Sequence, residues 1–320
     1  MARRRLVRVS FYFNAPCMPR NERFRFRYVD ICDVHGVYER AFYYARDRTL
    51  DALEKGLAGE ISFPRTDAQR AATAAKFALN SNGILDGCLS ALDGFAVPMF
   101  EPSKYDCENP SSYKNRKGFF AILVQAMCDA DALFTWAALE FQGSCHDSTA
   151  FTSTPFFHDI DTHVPGGYYI AADDAYVCSE KVLTPYSGSH DHHAPEDTFN
   201  PNYYHSSTNR IIVECAFGRL VRRWGILWRP LQNSLKHNTQ VISVCMLLHN
   251  YCTRRGYLEA RACREPKETD IAATPIMIAH EQNDLQTQRE PGRRRDVEVS
   301  KRRTALKNTL HASGMRRRSS

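Results

Sequence analysis

Four apolar runs in the middle of the sequence constrain the fold more than any other feature. The first three read CLSALDGFAVPMF, GFFAILVQAMCD and ALFTWAALEFQG, and the turn-like stretch DADA joins the second to the third. Their length and bulk are typical of buried strands of a sheet. The fourth run, GGYYIAADDAYV, has two acids near its end. We expect a helix to begin in the segment that precedes this run. Strands in this order, followed by helices, predict an α/β fold.

Composition divides the chain into three parts: a helical N-terminal segment at 1–80, a central domain at 81–256 and a tail at 257–320. In the first part, a helix is expected to begin at a cap formed by Thr66 or Asp67. The third part is polar and charged, and it has too few apolar residues to offset the entropy of ordering, so we predict that it is disordered. With 43% hydrophobic residues, the remainder of the chain has enough apolar side chains for a sizeable core.

The positive charge of the chain is concentrated in the tail. Residues 289–320 hold eleven Lys and Arg against three Asp and Glu, whereas the whole chain has a net charge of +6. Such a tail favours a nucleic-acid contact or a nuclear address, and the alternative is a solvated tail without a role. No apolar run approaches the ~20 residues of a membrane span, and no targeting segment is evident, so an intracellular protein is expected.

Two helices are expected near the end of the central domain, at 207–224 and 237–254. The first contains the stretch NRIIVECAFGRLVRRW, in which the single acid Glu214 stands among apolar and basic residues. Helical spacing puts Arg210 and Val221 on the Glu214 side, so an exposed Arg210–Glu214 pair is one interpretation of this acid. A separate apolar stripe is predicted to face the core, and it consists of Val213, Phe217, Leu220 and Trp224.

The stretch RIIVECAFGRL resembles the third-acid motif of the DDE superfamily endonucleases, the transposases of the PIF/Harbinger type. Six further segments are similar to motifs of that family and follow in the same order. They are GCLSALDGFAVP, YKNRKGFFAILVQAMCD, GSCHDSTAF, AADDAYVCSEKVLTPY, FNPNYYHSSTNR and ISVCMLLHNYC. The resemblance covers roughly residues 60–253.

This resemblance implies an RNase H-like mixed sheet flanked by helices, with 81–256 as the catalytic domain. It implies that Asp93, Asp173 and Glu214 are the catalytic residues and the ligands of Mg²⁺ or Mn²⁺, with two divalent ions expected. Asp174 is the alternative to Asp173, because the motif here reads Asp-Asp where the family has Gly-Asp. Carboxylates and hard cations suit each other because the cations offset the mutual repulsion of the acids. The implied chemistry is the nicking of DNA followed by attack of a 3′-hydroxyl on target DNA.

Basic residues near the three acids are expected to contact DNA phosphates. For each of them, an ordinary solvated surface is the alternative. The candidates are Arg116, Lys117, Arg210, Arg219, Arg222 and Arg223. The resemblance also implies DNA as a partner, a separate Myb-like DNA-binding protein, and a location in the nucleus, and it allows a homo-oligomer.

One departure from the family favours a different outcome. Val221 stands where the family has a lysine, and we expect it to put a small apolar patch beside Glu214. Together with the short N-terminal segment, it favours the alternative of a domesticated or decayed relative that binds DNA or a protein partner without cleaving. A glycosidase with two carboxylates is a weaker alternative, since it explains neither the basic tail nor the NRKG loop.

Several other residues invite a metal or a structural interpretation. Asp147 belongs to the family pattern, but Asp-Ser before a helix is also a plain N-cap, which we favour. The pair His249-Asn250 is expected to form hydrogen bonds within the core. Eleven cysteines without a CxxC motif indicate reduced, buried thiols. The irregular spacing of a histidine group in the 184–206 loop argues against zinc, and its members are His190, His192, His193 and His205.

Overall fold

The computed structural model describes residues 28–81, 83, 85–186, 208–257 and 301–312. Nine helices are described, with short 3-10 turns between some of them. They are α1 (Tyr28–His35), α2 (Glu39–Gly56), α3 (Asp67–Asn80), α4 (Asp147–Thr152), α5 (Pro155–His158), α6 (Ile160–His163), α7 (Thr208–Arg223), α8 (Leu235–Arg254) and α9 (Lys301–Ala312). The strands are β1 (Cys88–Pro98), β2 (Ala121–Cys128), β3 (Phe134–Gln142), β4 (Tyr169–Ala172) and β5 (Val182–Leu183).

The five strands form one mixed sheet in the order β3-β2-β1-β4-β5. β1, β2 and β3 pair in antiparallel fashion, whereas β4 runs parallel to both β1 and β5. Helices flank this sheet, so the predicted α/β fold class is confirmed, and the architecture is consistent with an RNase H-like fold. The four apolar runs became β1 to β4. The sequence did not reveal β5, because two residues are too few to show an alternating pattern.

The two faces of the sheet bury two separate apolar clusters. On the front face, as we call the side that α7 covers, Phe95 of β1 stacks on Phe217 of α7 with ring centroids 4.7 Å apart. On the back face, Leu92 of β1 and Met127 of β2 pack in a cluster with Phe151 of α4. Because successive side chains of a strand alternate, the odd-numbered residues of β1 face the front and the even-numbered ones the back from Ala91 onward, beyond the irregularity at Cys88–Ser90.

The helices of the N-terminal segment pack onto this framework. The cap of α3 is Thr66, whose hydroxyl accepts a hydrogen bond from the Gln69 backbone, while the Gln69 side chain bonds back to Thr66, so Thr66 is correct of the two predicted caps. Leu50 of α2 and Phe77 of α3 are fully buried in the front cluster. Helix α2 therefore lies against α8, to which Glu54 is joined by a hydrogen bond from the Ser243 hydroxyl at 3.0 Å.

Helix α8 confirms the structural interpretation of His249-Asn250. The Asn250 amide accepts a hydrogen bond from the Phe134 backbone N–H at 2.9 Å and donates to the carbonyl oxygens of Phe134 and Glu60. His249 Nε2 lies 3.2 Å from the Ala132 carbonyl oxygen, and burial lowers the pKa of this imidazole to about 4. The pair thus fastens α8 to the start of β3.

The prediction of a disordered tail is wrong for residues 301–312, which form α9. Arg303 in this helix is only 4% exposed, its guanidinium lies 4.0 Å from the ring centroid of Tyr186, and it donates to the carbonyl oxygens of Thr184 and Pro185. Arg302 lies over the Tyr169 ring at 5.0 Å. The helix is held by cations on rings and carbonyl groups, so the scarcity of apolar residues did not prevent ordering. The rest of the predicted tail lies outside the described residues.

Two further expectations can be compared with the described residues. In these residues no helix is both long and apolar enough to cross a membrane. The nine cysteines that are described are all free thiols, and five of them are buried. The interpretation as reduced thiols is therefore confirmed for the buried members of the described set.

Candidate functional site

Two acids lie close together where β1 and β4 stop pairing, a place that we call the open end of these two strands. The last paired residues of these parallel strands are Leu92 and Ala172. Asp93 follows Leu92 within β1, and Asp173 is the first residue after β4. Asp93 shares the parity of the β1 residues that face the front cluster, so the sheet directs its side chain to the face that α7 covers.

The charges of these acids act on one another. The pKa of Asp93 is raised well above its usual value by burial first, then by the charges of Asp173 and Asp147, and further by Glu214. A hydrogen bond from the Gly94 N–H to Asp93 Oδ1, at 2.7 Å, opposes this rise. The geometry thus concentrates negative charge at one end of the sheet, where a cation would lower the repulsion.

Glu214 reaches this region from α7. All four members of the predicted stripe, Val213, Phe217, Leu220 and Trp224, are buried, as the helical spacing predicted. Glu214 itself is half-buried, and its charge contributes to the raised pKa of Asp93. One turn further along the helix, a Cβ atom on Gly218 would have no neighbour within 4 Å, so the helix is open at that position. The Arg210 side chain lies outside the described residues, so the alternative of an Arg210–Glu214 pair stays a prediction.

The expectation for Val221 is wrong. Val221 is only 5% exposed and belongs to the front cluster, so it does not put an apolar patch beside Glu214. The helical wheel failed here because the residues of α7 are buried in adjacent pairs, Ile212-Val213, Ala216-Phe217 and Leu220-Val221, so the buried stripe includes Val221.

Asp147 is a further acid of this region, and the sequence analysis assigned it to the wrong role. The N-cap of α4 is His146, and the Asp147 carboxylate instead accepts a hydrogen bond from Gln125 Nε2 at 2.8 Å. Gln125 Oε1 accepts a second bond, from the Tyr176 hydroxyl at 2.6 Å. Burial raises the pKa of Asp147, and its charge in turn raises the pKa of Asp93. The motif GSCHDS could have signalled this residue, but not the direction of its side chain.

Asp173 and Asp174 both stand in the turn that follows β4, and both are half-buried. Asp173 Oδ1 accepts a hydrogen bond from the Ala175 N–H at 2.9 Å, and its charge raises the pKa of Asp93 and of buried Tyr176. Asp173 is therefore the member of this pair whose charge acts on Asp93.

The carboxylates have the donor chemistry of a magnesium or manganese site, since these ions prefer hard oxygen ligands. Within the described ranges, however, no three His, Cys, Asp or Glu side chains are grouped closely enough to hold one ion together. The residues thus fit the expected ions in charge and in donor type, while the predicted convergence of three ligands stays a prediction.

A tight turn carries two of the predicted DNA contacts beside this acidic region. In the stretch Asn115–Gly118, the Asn115 carbonyl accepts from the Gly118 N–H at 2.9 Å, and the Asn115 side chain accepts from the Lys117 N–H at 3.0 Å. Gly118 has a φ of 88°, a conformation that favours glycine. Arg116 and Lys117 are exposed at the tip of this turn, and the Arg116 charge acts on Asp147.

The predicted DNA contacts on α7 differ from one another. Arg219 and Arg222 are exposed, whereas Arg223 is half-buried and lies near Cys252 of α8. The role of Arg223 in DNA contact stays a prediction. The four histidines that were considered for zinc, and with them the 187–207 segment, lie outside the described residues.

Comparison with known proteins agrees with the order of the motifs. Residues 92–250 match the family model described as DDE superfamily endonuclease. No curated protein and no solved structure matches the chain. The matched range begins one residue before Asp93 and ends at Asn250, so it contains all three acids that the motifs single out.

Proposed function

We propose, from the DDE superfamily endonuclease domain at residues 92–250, that this protein is a metal-dependent DNA endonuclease of the transposase type. Asp93, Asp173 and Glu214 are its catalytic residues and its metal ligands. The observation that carries this proposal is the effect of two of these charges on the third, since Asp173 and Glu214 both raise the pKa of Asp93 at the open end of β1 and β4. Acids that repel one another in a folded protein indicate a place where cations bind.

The side chains divide the work of the proposed site. The Gly94 N–H donates to Asp93 Oδ1 and the Ala175 N–H donates to Asp173 Oδ1, and these hydrogen bonds help to fix the orientation of both carboxylates. Glu214, on a separate helix, supplies the third carboxylate. Two Mg²⁺ or Mn²⁺ ions would supply the charge that activates a water or a 3′-hydroxyl and stabilises the leaving oxygen.

The substrate must also be held at this acidic end, and the exposed cations nearest to it suit that role. The rigid Asn115–Gly118 turn presents Arg116 and Lys117, while Arg219 and Arg222 lie on α7. Phosphate contacts of this kind position a duplex without reading its sequence. We further propose the PIF/Harbinger subtype, a nuclear location and a Myb-like partner that recognises the transposon ends, all on the basis of the sequence motifs.

A second candidate function rests on two observations. In the described ranges no three acids are grouped around one ion, and a buried valine stands at the position of the family lysine. Both features favour a domesticated relative that binds DNA without cleaving it.

Nicking of a supercoiled plasmid by the purified full chain separates the two candidates. The endonuclease should produce open-circular plasmid in millimolar Mg²⁺ or Mn²⁺ and none in EDTA. Glu214→Gln should lower the rate about a hundredfold or more, because a metal contributes several kcal/mol to such a transition state. Glu140→Gln, an exposed acid of β3, is the matched control and should be as active as the wild type. Plasmid binding without nicking in either metal would overturn the endonuclease in favour of the domesticated relative.

A further inference from the structure

A buried hydrogen-bond chain crosses the back face of the sheet directly behind the proposed catalytic acids. It runs from the Tyr176 hydroxyl to Gln125 Oε1, at 2.6 Å, and from Gln125 Nε2 to Asp147 Oδ1, at 2.8 Å. Gln125 is fully buried in β2, between the two ends of the chain. A buried amide with both ends bonded is held in a single orientation.

One end of this chain lies against the strand segment that carries Asp93. A Cβ atom added to Gly94 would lie 1.8 Å from Asp147 Oδ1 and 2.9 Å from Gln125 Nε2, so these side chains pack directly on the glycine from behind. The same Gly94 donates its N–H to Asp93 Oδ1 at 2.7 Å. Any displacement of the Asp147 side chain therefore alters the position of the amide that holds Asp93.

The other end fixes the turn that carries Asp173. The Tyr176 N–H donates to the Asp173 carbonyl at 3.4 Å, and the Ala175 N–H donates to Asp173 Oδ1 at 2.9 Å. The Tyr176 ring is buried in the back cluster, where its hydroxyl meets Gln125. The ladder between β4 and β1 ends at Ala172, so this anchor contributes to where Asp173 stands relative to Asp93.

We propose that Asp147, Gln125 and Tyr176 form a positioning relay that sets the spacing of Asp93 and Asp173 through the sheet. None of the three acts on the substrate itself. The expected effect of the relay on catalysis rests on the proposed function. The coupling of Tyr176 to Gly94 can be tested in a protein without any activity. In this relay, Asp147 acts through an oxygen that accepts the hydrogen bond from Gln125. Its negative charge is not required.

Kinetics of plasmid nicking by four variants test the relay. Asp147→Ala and Tyr176→Phe should each lower kcat about tenfold and leave the KM for DNA unchanged, because the acids lose their spacing while the DNA contacts stay. Asp147→Asn retains an acceptor oxygen for Gln125, so it should restore most of kcat. Tyr168→Phe, a tyrosine packed against the same back cluster, is the control and should match the wild type. An Asp147→Asn variant as inactive as Asp147→Ala would overturn the relay, because the carboxylate charge would then be the required property.

A spectroscopic measurement distinguishes a failed relay from a failed enzyme. In protein labelled with ¹⁵N-glycine and ¹³C-carbonyl aspartate, the two glycines that follow an aspartate, Gly87 and Gly94, can be selected, and Asp86→Glu removes the Gly87 signal. The remaining Gly94 amide resonance should shift in Tyr176→Phe, because Gln125 contacts both Gly94 and the Tyr176 hydroxyl. An unchanged Gly94 resonance in Tyr176→Phe would overturn the relay, whether or not the wild type nicks DNA. A shifted resonance in a protein that does not nick would support the relay and reject the proposed activity.

Discussion

The acidic end of β1 and β4 and the basic helix α9 handle charge in opposite ways. At the acidic end, like charges stand close enough that Asp173, Asp147 and Glu214 all raise the pKa of Asp93. In α9, each cation for which a contact is described has a partner within the fold, and Arg303 and Lys307 both lie over the Tyr186 ring. A bound cation would therefore lower the repulsion among the acids, whereas the cations of α9 already contact groups of the protein.

This difference shows that the sign of a charged segment does not determine its role. The charge of the basic tail favoured a nucleic-acid contact or a nuclear address and no part in the fold, yet its Arg303 is among the most buried charged residues of the described chain. The three experiments below test the contrast, beginning with the largest expected effect.

The first experiment tests the acidic end by comparing Asp173, a proposed metal ligand, with its neighbour Asp174. Asp173→Asn should lower Mg²⁺-dependent nicking about a hundredfold or more, since a proposed metal ligand is lost. Asp174→Asn should keep activity within a few-fold of the wild type. Rates of plasmid nicking at saturating Mg²⁺ provide the measurement. If Asp174→Asn is the inactive variant, Asp174 takes the place of Asp173 as the second acid.

Arg303→Ala tests whether the contacts of α9 stabilise the fold. It removes a buried cation from two carbonyl groups and one ring, so we expect a loss of about 2 kcal/mol in the free energy of unfolding. Urea denaturation of the full chain measures this loss. Lys301→Ala, in the same helix but exposed, is the matched control and should change stability by less than about 0.5 kcal/mol. Equal stabilities of the two variants would show that α9 contributes nothing to the fold.

Asp93→Asn should stabilise the metal-free protein slightly. An acid whose pKa is raised on folding costs stability above its unfolded pKa, and this cost vanishes as the pH falls below both values. The substitution should therefore add about 1 kcal/mol at neutral pH, or a rise of about 2–4 °C in Tm. It should also abolish any rise in Tm that Mg²⁺ causes in the wild type. A lower Tm for Asp93→Asn at pH 7 in EDTA would contradict the repulsion among these acids.

Much of the framework could be predicted because it depends on local patterns. The four long apolar runs gave β1 to β4, the stripe from Val213 to Trp224 gave the buried side of α7, and Thr66 gave a helix cap. The features that were missed depend on contacts between distant segments. The direction of the Asp147 side chain, the burial of Val221 and the docking of α9 are decided by which element lies opposite, and no local pattern encodes that.

The bond between Asn250 and Phe134 has a consequence for the order in which the chain can fold. The two residues are 116 positions apart, and the same amide also holds the Glu60 carbonyl, 190 positions away. During synthesis, β1, β2 and β3 leave the ribosome long before α7 and α8 do, and helices α2 and α3, which precede the strands, can cover part of their front face in that interval. Contacts of such long range slow folding and leave apolar strands open to aggregation. The front cluster of a nascent chain is thus complete only after α8 has emerged.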